Sequence, residues 1–180
     1  EKDKLGLSLE DEGFIKENID TIIHAAADVR HFGDMSYFEK VNTQSTKHLL
    51  DIAKCKKDVR FHYISTLGIP EELALNGQWE DVISNPKLSE DLKLENVYTN
   101  SKLQSEKLVY KAGEEGTAIT VYRGGNLTCR FNDGKFQKNI DSNAFYRMIK
   151  SMILLGKAPK VNCYLDFTPI DYASKAIVYL

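Results

Sequence analysis

The stretch Phe61-His62-Tyr63-Ile64-Ser65-Thr66, followed downstream by Tyr98-Thr99-Asn100-Ser101-Lys102, decides how this chain is read. The first part is rich in aromatic and branched residues and ends in two hydroxyls, so it reads as a buried strand. The second sets a phenol and an ammonium one helical turn apart, on the same face. A hydroxyl, a phenol and a lysine that converge can deliver a proton to a carbonyl oxygen. The Tyr98–Lys102 spacing alone is a weak signal in a chain with nine tyrosines, and Tyr146 and Lys150 repeat it. That second pair lies in an apolar helical pattern with no hydroxyl-ended strand before it, and it reads as ordinary helix.

Working outward, Asp20-Thr21-Ile22-Ile23-His24 is a short β-branched run ending in Ala25-Ala26-Ala27. Small residues at a strand's carboxyl end let a ligand lie against the backbone, at the edge where open α/β sheets bind ligands. Tight packing is the alternative reading. Ser36 to Lys54 reads as a helix, with Phe38, Val41, Ser45, His48, Leu49 and Ile52 at helical spacing. Asn42 sits near its start. Tyr98 to Lys111 is the next helix, with Leu103, Leu108 and Tyr110 on one face and Gly113 and Gly116 ending it. Ala118 to Tyr122 is a third β-rich run, leading into Arg123-Gly124-Gly125-Asn126.

This alternation argues for an α/β fold, a Rossmann-like parallel sheet with helices on both faces. Residues 70–95 form a polar, acidic insertion with turn-prone spots at Asn76-Gly77 and Asn85-Pro86, and its Trp79 reads as packing under a loop. After Thr128 the chain becomes turn-rich. Asp141-Ser142-Asn143 can cap a helix through Leu155, and Asp171 a last helix from Tyr172 to Leu180. The expected organisation is a dinucleotide-binding part over 1–127, the start of a smaller substrate-binding part over 128–165, and a return to the first part over 166–180. No Gly-x-Gly-x-x-Gly turn follows a strand, and the first strand reads as a middle one. The expectation is a sheet without its first strands and glycine-rich turn.

Composition bounds the rest. The chain has 180 residues, 42% hydrophobic and 28% charged, with a net charge of −2. That is one domain's worth of core, with neither a disordered composition nor a nucleic-acid footprint. Its apolar runs are too short to span a bilayer, and Glu1-Lys2-Asp3-Lys4 does not open a signal peptide. Three scattered cysteines argue against a disulfide framework and for a reducing cytoplasm. The four histidines show no ligand spacing, so no metal is expected.

Seven motifs occur in order: Ile23-His24-Ala25-Ala26-Ala27-Asp28-Val29; Val41-Asn42-Thr43; Tyr63-Ile64-Ser65-Thr66-Leu67; Tyr98-x-x-x-Lys102; Arg123-Gly124-Gly125-Asn126; Gly134-Lys135-Phe136-Gln137-x-Asn139; and Asp166-Phe167-Thr168-Pro169-Ile170-Asp171-Tyr172. Together they resemble the extended short-chain dehydrogenase/reductase superfamily, and within it the thioester reductase branch. That branch holds the terminal reductase domains of nonribosomal peptide synthetases, with relatives in carboxylic acid and aminoadipate reductases. One departure is Cys129 before Arg130, where the family usually carries a glycine.

The resemblance implies NADPH-dependent release of an acyl or peptidyl thioester, carried on phosphopantetheine, as an aldehyde, with a second hydride giving the alcohol. NADH is the alternative cofactor. It implies a carrier (thiolation) domain as partner and a terminal place in a multidomain synthetase. Thr66, Tyr98 and Lys102 would be catalytic: the two hydroxyls bonding the carbonyl oxygen, Tyr98 as general acid, and Lys102 lowering its pKa and binding the nicotinamide ribose. Ala25, Ala26, Ser65, Gly125 and Asn126 would join Tyr98 and Lys102 against the cofactor. Asn42 would anchor its helix nearby, and His24 reads as a packing residue at a strand end. Phe136, Gln137 and Asn139 either face the pantetheine arm or form a capped loop. Two other readings stand beside this one: a superfamily dehydrogenase or epimerase acting on a free carbonyl or alcohol, and a catalytically silent dinucleotide-binding scaffold.

Overall fold

β1 (Thr21–His24) and β2 (Arg60–Thr66) run parallel, with Thr21 opposite Arg60, Ile22 opposite Phe61 and His24 opposite Tyr63. β3 (Ala118–Gly124) completes a sheet of order β1-β2-β3. The computed structural model describes residues 3–75, 91–138, 140–160 and 166–180. Trp79, the turn-prone spots at 76–77 and 85–86, Asn139 and Cys163 lie outside the described residues. The chain divides into two compact units, Glu1–Arg123 and Gly124–Leu180.

Along β2 the side chains alternate. Phe61, Tyr63 and Ser65 are buried, while His62, Ile64 and Thr66 are half-buried. The buried face meets Leu50, Ala53, Val109 and Ala112 from two helices, forming the main core with Val59. On the other face His62 stacks on Tyr122, with Nδ1 2.9 Å from the phenol oxygen. Alternation of this kind marks a strand whose two faces meet different surroundings.

The helix expected over Ser36–Lys54 is three pieces: α2 (Met35–Phe38), a π-helical turn (Glu39–Gln44) and α3 (Ser45–Ala53). Asp34 caps it by accepting from Tyr37 N. Apolar spacing on either side of a widened turn still looks helical, so periodicity misses it. Ser8 caps α1 (Leu9–Asn18). α4 (Gly68–Leu75) brings Ile69 and Leu73 against Leu94 and Leu103.

α5 (Val97–Glu114) starts at Asn96, whose Oδ1 accepts from Tyr98 N and Thr99 N. Gly113, expected to end this helix, lies inside it. A Cβ there would sit 2.8 Å from Ile119 Cγ1, so its absence lets the helix approach β3. Arg123 reaches back to Glu106, which is fully buried, at 2.9 Å. Charges this deep need a partner.

In the second unit β4 (Leu127–Thr128) and β5 (Thr168–Pro169) pair in parallel. Asn143 caps α6 (Ala144–Leu155), and Gly156 ends it in the left-handed conformation. α7 (Ile170–Tyr179) begins earlier than expected, with Pro169 at its cap position. Asp171 does not serve as that cap. Its Oδ1 accepts from Phe131 N, 2.9 Å away, and from Tyr172 N.

Candidate active site at the carboxyl ends of the strands

β2 ends in Thr66, and the first turn of α5 carries Tyr98. The Thr66 Oγ1 accepts from Gly68 N at 3.1 Å, which fixes the oxygen and leaves its proton free to donate. It is close enough to the Tyr98 phenol to favour its ionised form against burial. The Tyr98 ring also meets His31 edge-on, centroids 5.5 Å apart. His31 is itself held: Asn96 uses its Oδ1 as the helix cap, so its amide nitrogen donates to His31 Nδ1 at 3.1 Å.

Lys102 is only 3% exposed. Its Nζ donates to the Ile64 carbonyl at 2.6 Å and stands 4.1 Å from the centroid of the Tyr63 ring. Burial pulls its pKa down to about 8, with Glu106 opposing. The expected depression of the Tyr98 pKa by this ammonium is not what the structure gives. Burial pushes the Tyr98 phenol above its ordinary value, and Thr66 is what pulls the other way. The cation's close partners are a strand carbonyl and a second tyrosine.

Behind the site lies a buried polar network built on Asn42, 1% exposed on the π-helical turn. Its Oδ1 accepts from Asp28 N at 2.8 Å, and its Nδ2 donates to Asp28 O at 3.0 Å and Ser101 Oγ at 2.8 Å. The residue ties the loop after β1 to the helix that carries Tyr98 and Lys102. Its own carbonyl accepts from Thr46 Oγ1 at 2.7 Å. Because that hydroxyl is donating, His24 Nε2, 2.9 Å away, donates to it. Burial and the nearby Lys102 charge bring His24 down to about 4, so the ring is neutral. Ser101, Ser105, Thr46 and Tyr63 were not singled out from the sequence. Only contacts from distant segments distinguish them from ordinary helix and strand residues.

The ends of β1 and β2 suit a nicotinamide nucleotide. Ala25 and Ala26 are exposed just past the end of β1. Ser65 is 5% exposed, and its Oγ has no hydrogen-bond partner among the described residues. A buried hydroxyl left so is costly without a ligand to meet it. No group of three or more His, Cys, Asp or Glu among the described residues could hold a metal ion, and no helix among them is long and apolar enough to cross a membrane.

In the second unit Gly125 and Asn126 are organised by Asp166. Asn126 N donates to Asp166 Oδ2 at 2.9 Å, and a Cβ on Gly125 would fall on the same carboxylate. Phe136 and Gln137 line an open cavity of about 450 Å³ together with Leu127, Thr128, Arg130 and Ile170. The Phe136 ring lies 5.9 Å from that of Tyr146. The repeated spacing at Tyr146 and Lys150 sits on α6, where Lys150 pairs with Asp141.

A family described as Male sterility protein, with an NAD-binding domain, matches residues 1–177. A linear gramicidin synthase from Brevibacillus parabrevis is 30% identical over 181 residues, covering 98% of this chain and 3% of that protein. The structure of a thiolation-reductase di-domain from an archaeal non-ribosomal peptide synthetase superposes with a TM-score of 0.79 at 30% identity, over 95% of this chain and 37% of that one. The terminal R domain from the myxalamid PKS-NRPS pathway gives 0.78 at 28%, over 98% and 43%. The chain therefore spans less than half the length of each of these three proteins. The mixed α/β architecture with its parallel strands is that of the reductase domains.

Proposed function

Since this chain belongs to the Male sterility protein family of NAD-binding domains, we propose that it takes part in reducing a phosphopantetheine-bound acyl or peptidyl thioester and releasing it as an aldehyde. The observation that carries this reading is the placement of the Thr66 hydroxyl at the carboxyl end of β2 and of the Tyr98 phenol on the first turn of α5, close enough for Thr66 to act on the phenol, with Lys102 buried one turn further along α5. The substrate's thioester carbonyl lies between the two hydroxyls, and both donate to its oxygen as negative charge develops there. The raised pKa keeps the Tyr98 phenol protonated at neutral pH. It gives up its proton only when the oxygen beside it has become basic.

Bound NADPH supplies the hydride. Ala25, Ala26 and Ser65 would hold the cofactor in the first unit, and by the family pattern Lys102 would bind its ribose. The cofactor roles of Gly125 and Asn126, and the substrate roles of Phe136, Gln137 and Asn139, rest on the family pattern. So do the preference for NADPH and the assignment of residues 128–165 to a substrate-binding part. The partner is a carrier domain bearing the thioester within a multidomain synthetase, in the cytoplasm.

The test is NADPH consumption by the full chain given an acyl-pantetheine thioester, with the aldehyde trapped and weighed. Tyr98→Phe is expected to lower turnover by roughly a hundredfold or more while NADPH binding stays nearly unchanged. Turnover at the wild-type rate in that variant would remove Tyr98 as the acid. Bound NADPH without consumption would favour a dehydrogenase acting on a free carbonyl.

A further inference from the structure

The surroundings of Lys102 hold a feature the reaction above does not account for. An ammonium has three donors and is strongly hydrated. Here it is almost fully buried, and its one hydrogen bond among the described residues goes to the Ile64 carbonyl. The place of lost water is taken by the face of Tyr63, a ring on the adjacent position of β2 that is itself 1% exposed. Aromatic faces carry negative electrostatic potential and hold cations best where water is excluded. The Tyr63 hydroxyl adds little: it has no well-formed hydrogen bond. The Ser105 and Thr46 hydroxyls beside it already donate to Ser101 O and Asn42 O.

We propose that Tyr63 is the positioning residue of Lys102: its ring face holds the ammonium against the Ile64 carbonyl and leaves the remaining N–H to a ligand hydroxyl. The inference rests on the reading of Lys102 as a cofactor-contacting residue. It assigns the work to the ring and none to the phenol. The other ionisable groups around the ammonium are His24 on β1, Glu106 on the same helix, where Arg123 pairs with it, and Tyr98 on the turn before. None of them replaces the ring as the direct partner.

Lys102 titration can be followed by NMR of the full chain carrying ε-carbon-labelled lysine, with the signal assigned by Lys102→Met. Tyr63→Leu is expected to lower the proton affinity of Nζ roughly tenfold, because the charged form loses its ring. Tyr63→Phe keeps the face and is expected to titrate as wild type. A ring-fluorinated phenylalanine at 63 keeps the shape and removes the negative face, so it is expected to behave as Tyr63→Leu does. It decides the question if the leucine variant does not fold. An unchanged midpoint with the fluorinated ring, or a shifted one with Tyr63→Phe, would overturn the proposal. Thioester turnover measured alongside separates the two ideas. No turnover in the wild type removes the reductase reading while the titrations still judge the ring, and turnover with a flat titration series removes Tyr63 alone.

Discussion

Asn42 shows how one residue acts at a distance from the chemistry. Its amide joins Asp28 on one side to Ser101 on the other, across a gap in sequence that no helix or turn bridges. Removing it leaves the part-buried Asp28 N–H and carbonyl without these partners, while Ser101 keeps its bond to Tyr98 O, and an unmet backbone group costs more than the bond itself. Asn42→Ala is expected to lower stability by about 2–4 kcal/mol. Urea unfolding followed by circular dichroism would measure it, and a change under 1 kcal/mol (roughly the worth of one hydrogen bond) would mean water replaces the amide. The sequence pointed to Asn42 as an anchor, but its partners came only with the fold. The places of Thr66 at the end of β2 and of Tyr98 at the start of α5 were legible, because each follows from local spacing. The surroundings of Lys102 were not, since Tyr63 and Ile64 belong to a different element.

At the scale of the element, α5 is the piece that aims the site. It carries Tyr98 and Lys102 on one face, and Asn96 fixes where the helix starts. Asn96→Ala is expected to cost about 1 kcal/mol through the lost cap. Hydrogen exchange would show it as faster exchange at the Tyr98 and Thr99 amides, with the centre of α5 unchanged. Protection unchanged at both amides would mean that the packing of α5, and not the cap, sets its first turn. The cap also restrains His31, whose ring borders Tyr98. Among the helix starts, Asn143 was legible as one of three adjacent candidates, whereas Asp171 was not the cap expected. A capping side chain competes with every other donor in reach, and Phe131 N is one such donor.

Across the whole molecule, burial sets the response to acid. His24 is neutral in the fold, its pKa lowered to about 4 from an ordinary 6.5 by burial first and by Lys102 second. Above pH 6.5 neither the folded nor the unfolded chain protonates this ring, and its environment adds no pH dependence. Between about 6.5 and 4 the unfolded chain takes up a proton that the fold refuses, so stability falls as the pH drops. Below about 4 both states are protonated and the dependence from this group ends. The loss is on the order of 3 kcal/mol, and His24→Gln is expected to flatten it. Urea midpoints at pH 7 and pH 4.5 would measure the difference. Equal slopes in the two proteins would assign the acid sensitivity elsewhere. The sequence alone determined the alternation of strands and helices, β2 as a strand ending in two hydroxyls, and the shared face of Tyr98 and Lys102. These follow from local spacing, which depends only on the geometry of one element. The tertiary structure decided that the Tyr98 phenol is raised and not lowered, that Lys102 turns to Ile64 and Tyr63, and that Asn42 sits on a widened turn. Desolvation and buried partners are set by segments far apart in the chain, and periodicity carries no record of them.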